Sequence, residues 1–493
     1  MTLLWTNIQG FPKTLSDEIA LVGENKSYSW SQLESEVNKA SQQLNSFQHQ
    51  VLALYEDNSP EWIIIDLACR LNQIILLPLP HFFSDKQLIH AIKKAGVSAI
   101  LATDNTRVSD ILKDFSVAKN SLIIAGLELS VLNQPAARLP ENTTKITFTS
   151  GSTGQPKGVC LSNEQQIDVA QALLKAIDLG ATRHLSILPF STLLENIGGI
   201  YAPLLSGGSV IALPQQTLGF NGSSGFDLAQ LLSTISRHQP QSMIMLPELL
   251  TAMVRASEQG WSAPKSLNFI AVGGSKVSPS LLQKARDLGL PVYEGYGLSE
   301  CGSVVSLNTP KASTIGSIGK VLTHVNVAIE DDEIVVSGNP FLGYIGYDSN
   351  WYESKVYTGD LGFIDEQDFL HIKGRKKNLL ISSFGRNINP EWVESELLSD
   401  GTLQHAVLFG DAKPFCIALI QTYDSNMTDE DIQQKIDELN HNLPNYAHVK
   451  SWARVSTAMT TSNGLITSNG RPVRNKIQQQ YKLLIEELYK GEE

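Results

Sequence analysis

Residues 51–102 of this 493-residue chain, VLALYEDNSPEWIIIDLACRLNQIILLPLPHFFSDKQLIHAIKKAGVSAILA, contain the pattern that decides its fold. Three apolar runs of strand length alternate with two segments of helical spacing. A β-α-β-α-β order of this kind is typical of a mostly parallel sheet with helices on both faces. We therefore predict an α/β fold. The predicted strands are 51–55, 74–79 and 97–102, and the predicted helices are 61–71 and 85–95.

The same alternation returns later in the chain, and then the pattern changes. Beyond Gly316, two short apolar runs are joined by the acidic residues 330–332, which is typical of an antiparallel hairpin. We predict a large N-terminal domain of mostly parallel, helix-covered sheets with a small barrel-like β region. The runs concerned are 242–246, 268–272 and 290–293 before Gly316, and 325–329 and 333–336 after it.

A second, smaller domain is predicted after the basic sequence GRKKN at 374–378. The residues that follow contain apolar runs of their own, at 406–409 and 416–420, and residues 477–489 have helical spacing. A segment of that length is large enough for a small α+β domain. The predicted domains are therefore residues 1–374 and 375–493.

Composition and charge narrow the class of protein. Hydrophobic residues make up 42% and charged residues 18% of the chain, which excludes a disordered or collagen-like protein. Lys plus Arg number 38 and Asp plus Glu number 50, so the formal net charge is −12. Bulk charge of this sign does not favour binding to nucleic acid or to an anionic membrane. We predict no nucleic-acid partner, and any anionic ligand needs a local site that opposes the overall field.

The sequence also bears on compartment. The four cysteines are far apart and form no Cys-x-x-Cys pair, which favours free thiols in a reducing compartment. Residues 1–17 lack a basic start followed by an apolar run. The uncharged stretch 196–226 is interrupted by glycines and prolines, whereas a membrane-crossing helix needs about 20 mostly apolar residues. We predict a cytoplasmic protein without a transmembrane segment.

The strongest functional signal is ITFTSGSTGQPKG at residues 146–158. Residues 146–148 predict a strand, and the small, hydroxylated and glycine residues after it predict a loop whose N–H groups surround an anion. Lys157 adds a positive charge suited to phosphate. Ser162 and Gln165 are spaced as a capping box that begins a helix. The spacing differs from that of a Walker A motif, and a flexible surface loop is the alternative interpretation.

Three shorter motifs accompany this loop, GGSK at 273–276, YEGYGLSE at 293–300 and YTGD at 357–360. Taken singly, the last two are weak signals that ordinary turns also produce. Together with the loop, the motifs resemble those of the adenylate-forming superfamily, which includes acyl-CoA synthetases, peptide-synthetase adenylation domains and luciferases. The resemblance covers almost the whole chain.

The resemblance implies a role for each motif. It makes Tyr296 the wall against adenine, Ser299 a partner of the α-phosphate, and Glu300 the ligand of Mg²⁺, a metal that prefers carboxylates and phosphate oxygens. It assigns the ribose hydroxyls to Asp360, an acceptor-only side chain, and to Arg375. The implied nucleotide-binding residues are Thr149, Ser150, Gly151, Ser152, Thr153, Gly154, Lys157, Gly274, Ser275, Glu294, Gly295, Tyr296, Gly297, Ser299, Asp360 and Arg375.

The resemblance further implies that the small domain is mobile, with a hinge near Lys377. It also places a catalytic lysine in the loop that corresponds to TSNGRPVR at 467–474, but Arg471 stands at the lysine position. Arginine is also cationic and contacts carboxylate and phosphate in a bidentate manner, although its planar group is bulkier. We predict Arg471, Lys157 and Glu300 as the catalytic residues. The alternatives are that this loop has no catalytic role, or that Lys476 supplies the positive charge instead of Arg471.

A second departure concerns the entrance for the acid. After Leu188-Pro189-Phe190, many members of the superfamily have a histidine or an aromatic residue, whereas this chain has Ser191 and Thr192. We therefore expect an acid-binding entrance of a different shape. Ordinary core packing of this segment is the alternative.

The activity implied by the resemblance is that of an ATP-dependent acid–thiol ligase. A small-molecule carboxylic acid is adenylated with release of pyrophosphate, and the acyl group then passes to coenzyme A. Residues 375–381 and 385–390 most resemble the fatty acyl branch, which suggests a fatty acid. The implied cofactors are ATP, Mg²⁺ and coenzyme A, with phosphopantetheine on an acyl carrier protein as the alternative acceptor. Because Arg471 replaces the expected lysine, a non-catalytic nucleotide- or acyl-AMP-binding protein is the alternative of another class.

Overall fold

The computed structural model of the chain describes residues 17–103, 106–149, 156–221, 225–467 and 470–490. Its strands are β1 Ile19–Val22, β2 Ser27–Ser29, β3 Val51–Tyr55, β4 Ile75–Pro78, β5 Val97–Ala102, β6 Val117–Ile124, β7 Leu127–Leu132, β8 Lys145–Thr149, β9 Lys157–Leu161, β10 Arg183–Leu185, β11 Ser209–Ile211, β12 Phe220–Asn221, β13 Gly225–Phe226, β14 Ser242–Met245, β15 Phe269–Val272, β16 Val292–Tyr296, β17 Ser306–Leu307, β18 Lys320–Val321, β19 Asn326–Glu330, β20 Glu333–Ser337, β21 Gly343–Tyr344, β22 Lys355–Ile364, β23 Leu370–Arg375, β24 Leu380–Ile381, β25 Asn387–Ile388, β26 Leu403–Phe409, β27 Cys416–Thr422 and β28 Val449–Arg454.

The helices pack between and around these strands. A π-helix, Asn196–Tyr201, lies between two short α-helical turns, and single 3₁₀ turns occupy 45–47, 299–301, 348–350 and 445–447. Within the described residues, none of the helices is long and apolar enough to cross a bilayer. The α-helices are α1 Trp30–Leu44, α2 Pro60–Leu71, α3 Asp85–Ala95, α4 Thr106–Leu112, α5 Asn163–Ile177, α6 Leu193–Glu195, α7 Ala202–Leu205, α8 Leu228–His238, α9 Pro247–Glu258, α10 Pro279–Asp287, α11 Pro390–Leu397, α12 Asp429–Asn442, α13 Arg474–Gln480 and α14 Lys482–Lys490.

The β-α-β-α-β order predicted for residues 51–102 is confirmed as β3, α2, β4, α3 and β5. Local sequence explains the helix boundaries. The Ser59 hydroxyl accepts from the N–H of Trp62 at 3.1 Å, and α3 begins with a capping box. Gly96 ends α3 at φ +61°, where a Cβ would lie 2.3 Å from a backbone nitrogen, so only glycine fits there.

Two large sheets form the N-terminal part of the chain. The first has the order β21-β9-β8-β4-β3-β5-β7-β6, with β8, β4, β3 and β5 mutually parallel. The second has the order β18-β17-β16-β15-β14-β10-β11-β1-β2 and is parallel from β16 to β1. The largest apolar cluster takes residues from both sheets, including Leu52 and Ala99 of the first and Val210 and Phe269 of the second. The core therefore lies between the sheets, as a mostly parallel, helix-covered fold requires.

The small β region is a four-stranded antiparallel sheet of order β19-β20-β22-β23. The predicted hairpin is confirmed, since Ile329 pairs with Ile334 and Glu330 with Glu333. Asp331 and Asp332 at its tip both have positive φ, at +49° and +63°, which suits a two-residue turn between twisted strands.

The C-terminal part is a smaller α+β unit. Strands β26, β27 and β28 form a sheet, with β26 antiparallel and β28 parallel to the central β27. The helical spacing of residues 477–489 is confirmed, and the segment forms two consecutive helices, α13 and α14. The boundary between them falls at Tyr481, which is buried in the core and donates its hydroxyl to the Thr457 carbonyl at 2.6 Å. The backbone hydrogen bonds continue across this residue, from the Tyr481 N–H to the Ile477 carbonyl and from the Ile485 N–H to the Tyr481 carbonyl, both at 2.9 Å.

Candidate functional site

Residues from three of the sequence motifs meet at one point. Asp360 of β22 lies opposite Arg375 of β23 in the register of the small sheet. The Nε of Arg375 lies 2.7 Å from Asp360 Oδ1, and the hydroxyl of Tyr296, the last residue of β16, donates to Oδ2 at 2.6 Å. Asp360 is only 3% exposed. The arrangement fixes both oxygens of a buried carboxylate.

Burial controls the protonation of this cluster. It raises the pKa of Asp360 above its ordinary value, and the positive charge of Arg375 opposes that rise. Burial, together with the negative charge of Asp360, raises the pKa of Tyr296 well above its usual range. Tyr296 therefore stays a neutral phenol and a hydrogen-bond donor.

A bend at Gly359 sets the direction of the Asp360 carboxylate. Gly359 has φ +70°, its N–H donates to Glu333 Oε1 at 2.9 Å, and its carbonyl accepts from the N–H of Lys376 at 2.8 Å. The ammonium of Lys376 donates to Glu333 Oε2, also at 2.9 Å. A pocket of about 330 Å³ opens beside this bend, lined by Glu333, Tyr357, Thr358, Gly359, Arg375, Lys376 and Lys377.

The glycine-rich predicted loop falls largely outside the described residues: Ser150, Gly151, Ser152, Thr153 and Gly154 belong to that part. Its two ends are described. Thr149 at the end of β8 lies opposite Lys157 at the start of β9 in an antiparallel pair. The predicted capping box after β9 is confirmed, with Gln165 N–H donating to Ser162 Oγ at 3.1 Å and Ser162 N–H donating back to Gln165 Oε1 at 2.9 Å.

Lys157 and Glu300 meet around one aromatic side chain. The hydroxyl of Tyr344 donates to Glu300 Oε1 at 2.6 Å, and the ammonium of Lys157 lies 5.1 Å from the centre of the Tyr344 ring. Tyr344 belongs to β21, which pairs with β9 beside Lys157. Tyr344 has no motif around it in the sequence, and the pairing of β21 with β9 brings it to the site.

Glu300 fits the role of a partial ligand for Mg²⁺. Among the described residues, no group of three or more His, Cys, Asp and Glu side chains could hold a metal ion by themselves. Glu300 uses Oε1 to accept from Tyr344, and within the same part of the chain Oε2 has no hydrogen-bond partner. One open carboxylate oxygen suits Mg²⁺, which commonly takes one or two protein carboxylates and completes its shell with phosphate and water oxygens.

The loops after β15 and β16 contain further predicted site residues. Both strands belong to a parallel run, so their carboxyl ends lie at one edge of the sheet. Gly274 has φ +89°, and Ser275 follows it. A Cβ on Gly297 would lie 1.6 Å from the Ser303 carbonyl oxygen, and one on Gly295 2.9 Å from Leu307. Glycine is therefore required for close packing at Gly297, and Ser299 begins the 3₁₀ turn that carries Glu300.

Glu294 of β16 is buried, and its carboxylate interacts electrostatically with the ammonium of Lys276. Burial raises the pKa of Glu294 to about 8, and Lys276 opposes the rise. Burial also lowers the pKa of Lys276. Glu294, predicted as a nucleotide-binding residue, is 7% exposed, and its carbonyl accepts from the Asn308 N–H at 2.9 Å.

Arg471 belongs to the C-terminal part of the chain and contacts the loop after β15. One terminal nitrogen of its guanidinium donates to the Gly274 carbonyl. Desolvation by the groups around it and the neighbouring charge of Arg375 lower the pKa of Arg471, whereas Asp360, Glu391 and Glu248 act in the opposite direction. An arginine remains protonated at physiological pH all the same, so the group is a fixed cation in the cleft.

The alternative cation, Lys476, lies elsewhere. Its ammonium is close to Gly464 of the C-terminal part. Lys377, the predicted hinge residue, is exposed just after β23. Partial desolvation of its ammonium and the positive charges of Arg375 and Arg471 lower its pKa. Arg471 is thus the cation that the loop 467–474 directs at Gly274.

The segment of the predicted acid entrance is firmly held. Asn58, at the carboxyl end of β3, donates to the Leu188 carbonyl at 2.8 Å and accepts from the Phe190 N–H at 2.7 Å. Ser191 and Thr192 follow, directly before α6. Glu195 in α6 is buried and pairs with His184 at 3.0 Å. Asn58, His184 and Glu195 were not identified from sequence, since their partners lie far along the chain or on another strand.

Comparisons with known proteins agree with this arrangement. A family model described as "AMP-binding enzyme" matches residues 9–350, and one described as "AMP-binding enzyme C-terminal domain" matches residues 377–493. The 2-succinylbenzoate–CoA ligase of Bacillus subtilis is 28% identical over 430 residues, covering 80% of this chain and 82% of that protein. The long-chain-fatty-acid–CoA ligase FadD15 of Mycobacterium bovis is 26% identical, covering 73% and 71%.

The fold has close structural counterparts. The crystal structure of the anthranilate CoA ligase AuaEII with anthranoyl-AMP superimposes with a TM-score of 0.84 over 99% of this chain and 98% of that one, at 17% sequence identity. At that identity the likeness extends to the fold alone. The predicted fold class is therefore confirmed, with a large N-terminal sheet domain and a smaller C-terminal domain.

Proposed function

The chain belongs to the AMP-binding enzyme family, and on that premise we propose that it is an ATP-dependent acid–thiol ligase. One observation carries the proposal. Arg471 reaches the Gly274 carbonyl beside the Asp360–Arg375–Tyr296 cluster, so a cation of the C-terminal part shares a cleft with a carboxylate held for hydrogen bonding.

The proposed roles follow from the chemistry of these side chains. Asp360 accepts from the ribose hydroxyls of ATP, and Arg375 and Tyr296 keep its carboxylate oriented. Lys157 and the N–H groups of the loop before it bind the phosphates. Glu300 would hold Mg²⁺, which neutralises phosphate charge when bound.

In the proposed first step, a carboxylate oxygen of the acid attacks the α-phosphorus of ATP. A new phosphorus–oxygen bond forms as the bond to pyrophosphate breaks, giving an acyl-adenylate. The cleft contributes mainly by positioning two anions and by placing fixed positive charge where negative charge develops. Arg471 is the side chain proposed to bridge the acid and the α-phosphate.

In the proposed second step, a thiol gives its proton to solvent and the thiolate attacks the acyl carbonyl. The bond between the acyl carbon and the AMP oxygen breaks, and AMP leaves as the thioester forms. We propose that residues 375–493 move about a hinge near Lys377 between the two steps, so that one cleft serves both. Coenzyme A is the proposed thiol, since the named curated relatives are CoA ligases.

The proposed acid is a fatty acid, on the basis of the resemblance of residues 375–381 and 385–390 to the fatty acyl branch. FadD15 is named for long-chain fatty acids, whereas the Bacillus subtilis relative is named for 2-succinylbenzoate. Both acids, and a panel of other aryl acids, therefore belong in the test.

The test is pyrophosphate release by the purified chain with ATP, Mg²⁺ and each acid in turn. We expect release that depends on the acid, followed by thioester formation with coenzyme A. The same reaction with a phosphopantetheine-bearing carrier protein compares the two acceptors. Tight nucleotide binding without pyrophosphate release for any acid would instead identify a binding protein and contradict the proposal.

A further inference from the structure

The C-terminal part of the chain contacts the N-terminal part at a second place, away from Arg471. Glu396, in the last turn of α11, accepts hydrogen bonds at Oε2 from the hydroxyls of Ser278 at 3.1 Å and Ser280 at 3.0 Å. The two serine hydroxyls lie 2.6 Å apart at the start of α10. We name Ser278, Ser280 and Glu396 the serine–glutamate contact.

This contact and Arg471 act on the same short segment. Gly274, whose carbonyl accepts from Arg471, precedes Ser278 by four residues in the loop between β15 and α10. The C-terminal part therefore holds residues 274–280 at both ends.

A buried ion pair links the two contacts inside the C-terminal part. Arg474, three residues after Arg471, donates to both oxygens of Glu394, at 2.7 and 3.1 Å. Glu394 is buried in α11, two residues before Glu396, and positions i and i+2 of a helix face different directions. The helix α11 thus presents Glu396 to the serines on one side and fixes the Arg471 loop on another.

A third contact lies beside the first. Arg255 of α9 donates its Nε to the Asp400 carbonyl at 2.7 Å, and a Cβ on Gly401 would lie only 2.5 Å from Thr251. The loop after α11 is therefore packed closely against α9, and the orientation of α11 is defined on both sides.

We propose that Glu396 is a positioning residue for the adenylation step: by accepting from Ser278 and Ser280, it holds residues 375–493 where Arg471 reaches the cleft. This inference rests on the proposed function. Partly exposed hydrogen bonds of this kind are individually weak, so the contact can break and form again when the thiol step requires the C-terminal part to move.

The test separates the two half-reactions in Glu396→Ala. Acid-dependent exchange of labelled pyrophosphate into ATP reports adenylation, and thioester formation from a preformed acyl-adenylate reports the second step. We expect exchange to fall about three- to tenfold, while thioester formation is not slowed. Glu396→Gln keeps an acceptor oxygen and should recover part of the exchange rate.

Matched variants define the specificity of the effect. Glu487→Ala removes an exposed carboxylate from α14 and should leave both steps unchanged. Ser280→Ala should reproduce the loss in exchange, and combining it with Glu396→Ala should cost less than the sum of the two. Equal slowing of both half-reactions, unchanged exchange, or strict additivity would overturn the proposal.

A distance measurement that needs no catalysis tests the positioning role of Glu396 separately from the proposed ligase activity. All four native cysteines are buried, so spin labels can be attached to cysteines introduced at the exposed Gln259 of the N-terminal part and Gln434 of α12. We expect one main distance between the labels in the otherwise native chain and a second, broader population in Glu396→Ala. An identical distance distribution would overturn the positioning role, even if no acid supports pyrophosphate release.

Discussion

Arg471 delivers a planar, permanently charged guanidinium to the Gly274 carbonyl, where the superfamily pattern has a lysine. A lysine has a flexible stem and a compact charge, so the two side chains do not place their donors alike. The identity of this residue should therefore affect the chemical step more than ATP binding.

Replacement of Arg471 tests that role. We expect Arg471→Ala to lower the rate of pyrophosphate exchange about 10²-fold or more, the loss typical of removing a preorganised charged donor, with little change in ATP affinity. Arg471→Lys should change the rate and leave ATP affinity intact. Lys476→Ala is the control and should behave like the native chain. An unchanged rate in Arg471→Ala would show that another group supplies the charge.

The hydroxyl of Tyr296 should tune the acid sensitivity of ATP binding. In the role proposed for Asp360, the ionised carboxylate accepts from the ribose hydroxyls, so ATP affinity should fall as pH decreases through the raised pKa of that carboxyl. The Tyr296 hydrogen bond lowers this pKa, and its removal in Tyr296→Phe should raise it further. We expect that, in Tyr296→Phe, the KM for ATP begins to rise at a higher pH than in the native chain as the solution is made more acidic. An identical pH dependence would exclude Asp360 as the titrating group.

At this scale, sequence identified the residues whose neighbours in the chain form a pattern. Tyr296, Glu300 and Asp360 belong to compact motifs of glycine, aromatic and acidic residues. Tyr344 and Glu333 have no such motif, and they reach the site only through strand pairing and the bend at Gly359. Local composition carries no information about contacts of that kind.

Among the elements, β8 leads into the glycine-rich loop and is tied to the core by a buried polar network. The ammonium of Lys145 in β8 lies 2.8 Å from Asp66 of α2 and donates to the Tyr201 hydroxyl at 2.6 Å. Tyr201, in the π-helix, donates in turn to Asp66 at 2.5 Å. Lys145, Asp66 and Tyr201 are at most 2% exposed, and burial lowers the pKa of Lys145 to about 8.

Breaking this network should destabilise the N-terminal domain. Lys145→Met leaves the Asp66 carboxylate buried without its cation, which typically costs about 3–5 kcal/mol. We expect a loss of that order in the free energy of unfolding by urea. Lys175→Met, at an exposed position of α5, is the matched control. A loss below about 1 kcal/mol would show that Asp66 is neutral or reached by water.

The elements themselves were largely predictable because the helix ends are encoded locally. Ser59, Ser84 and Ser162 each begin a helix, as their spacing to the following residues indicates. The boundary between α13 and α14 at Tyr481 was not predicted, since the helical spacing of residues 477–489 continues through it. The π-helix at Asn196–Tyr201 was likewise not predicted from the local sequence pattern.

The whole molecule has a negative net charge of −12, whereas the side chains around the cleft include several positive charges. The cleft contains three positively charged side chains, Arg375, Arg471 and Lys377, as a local site for an anionic ligand requires in an acidic chain. Sequence predicted the division into a large and a small part, but not that the small part contacts residues 274–280 at two points. These two contacts depend on how α11 and the Arg471 loop pack against the N-terminal part.

The most direct test of the account follows one oxygen atom through the reaction. If the acid carboxylate attacks the α-phosphorus, a substrate labelled with ¹⁸O in its carboxylate must transfer one labelled oxygen to AMP when the thioester forms. Mass spectrometry of the products after a single turnover with ATP and coenzyme A measures this transfer. We predict AMP that carries one ¹⁸O, whereas unlabelled AMP, or label in inorganic phosphate, would contradict the account.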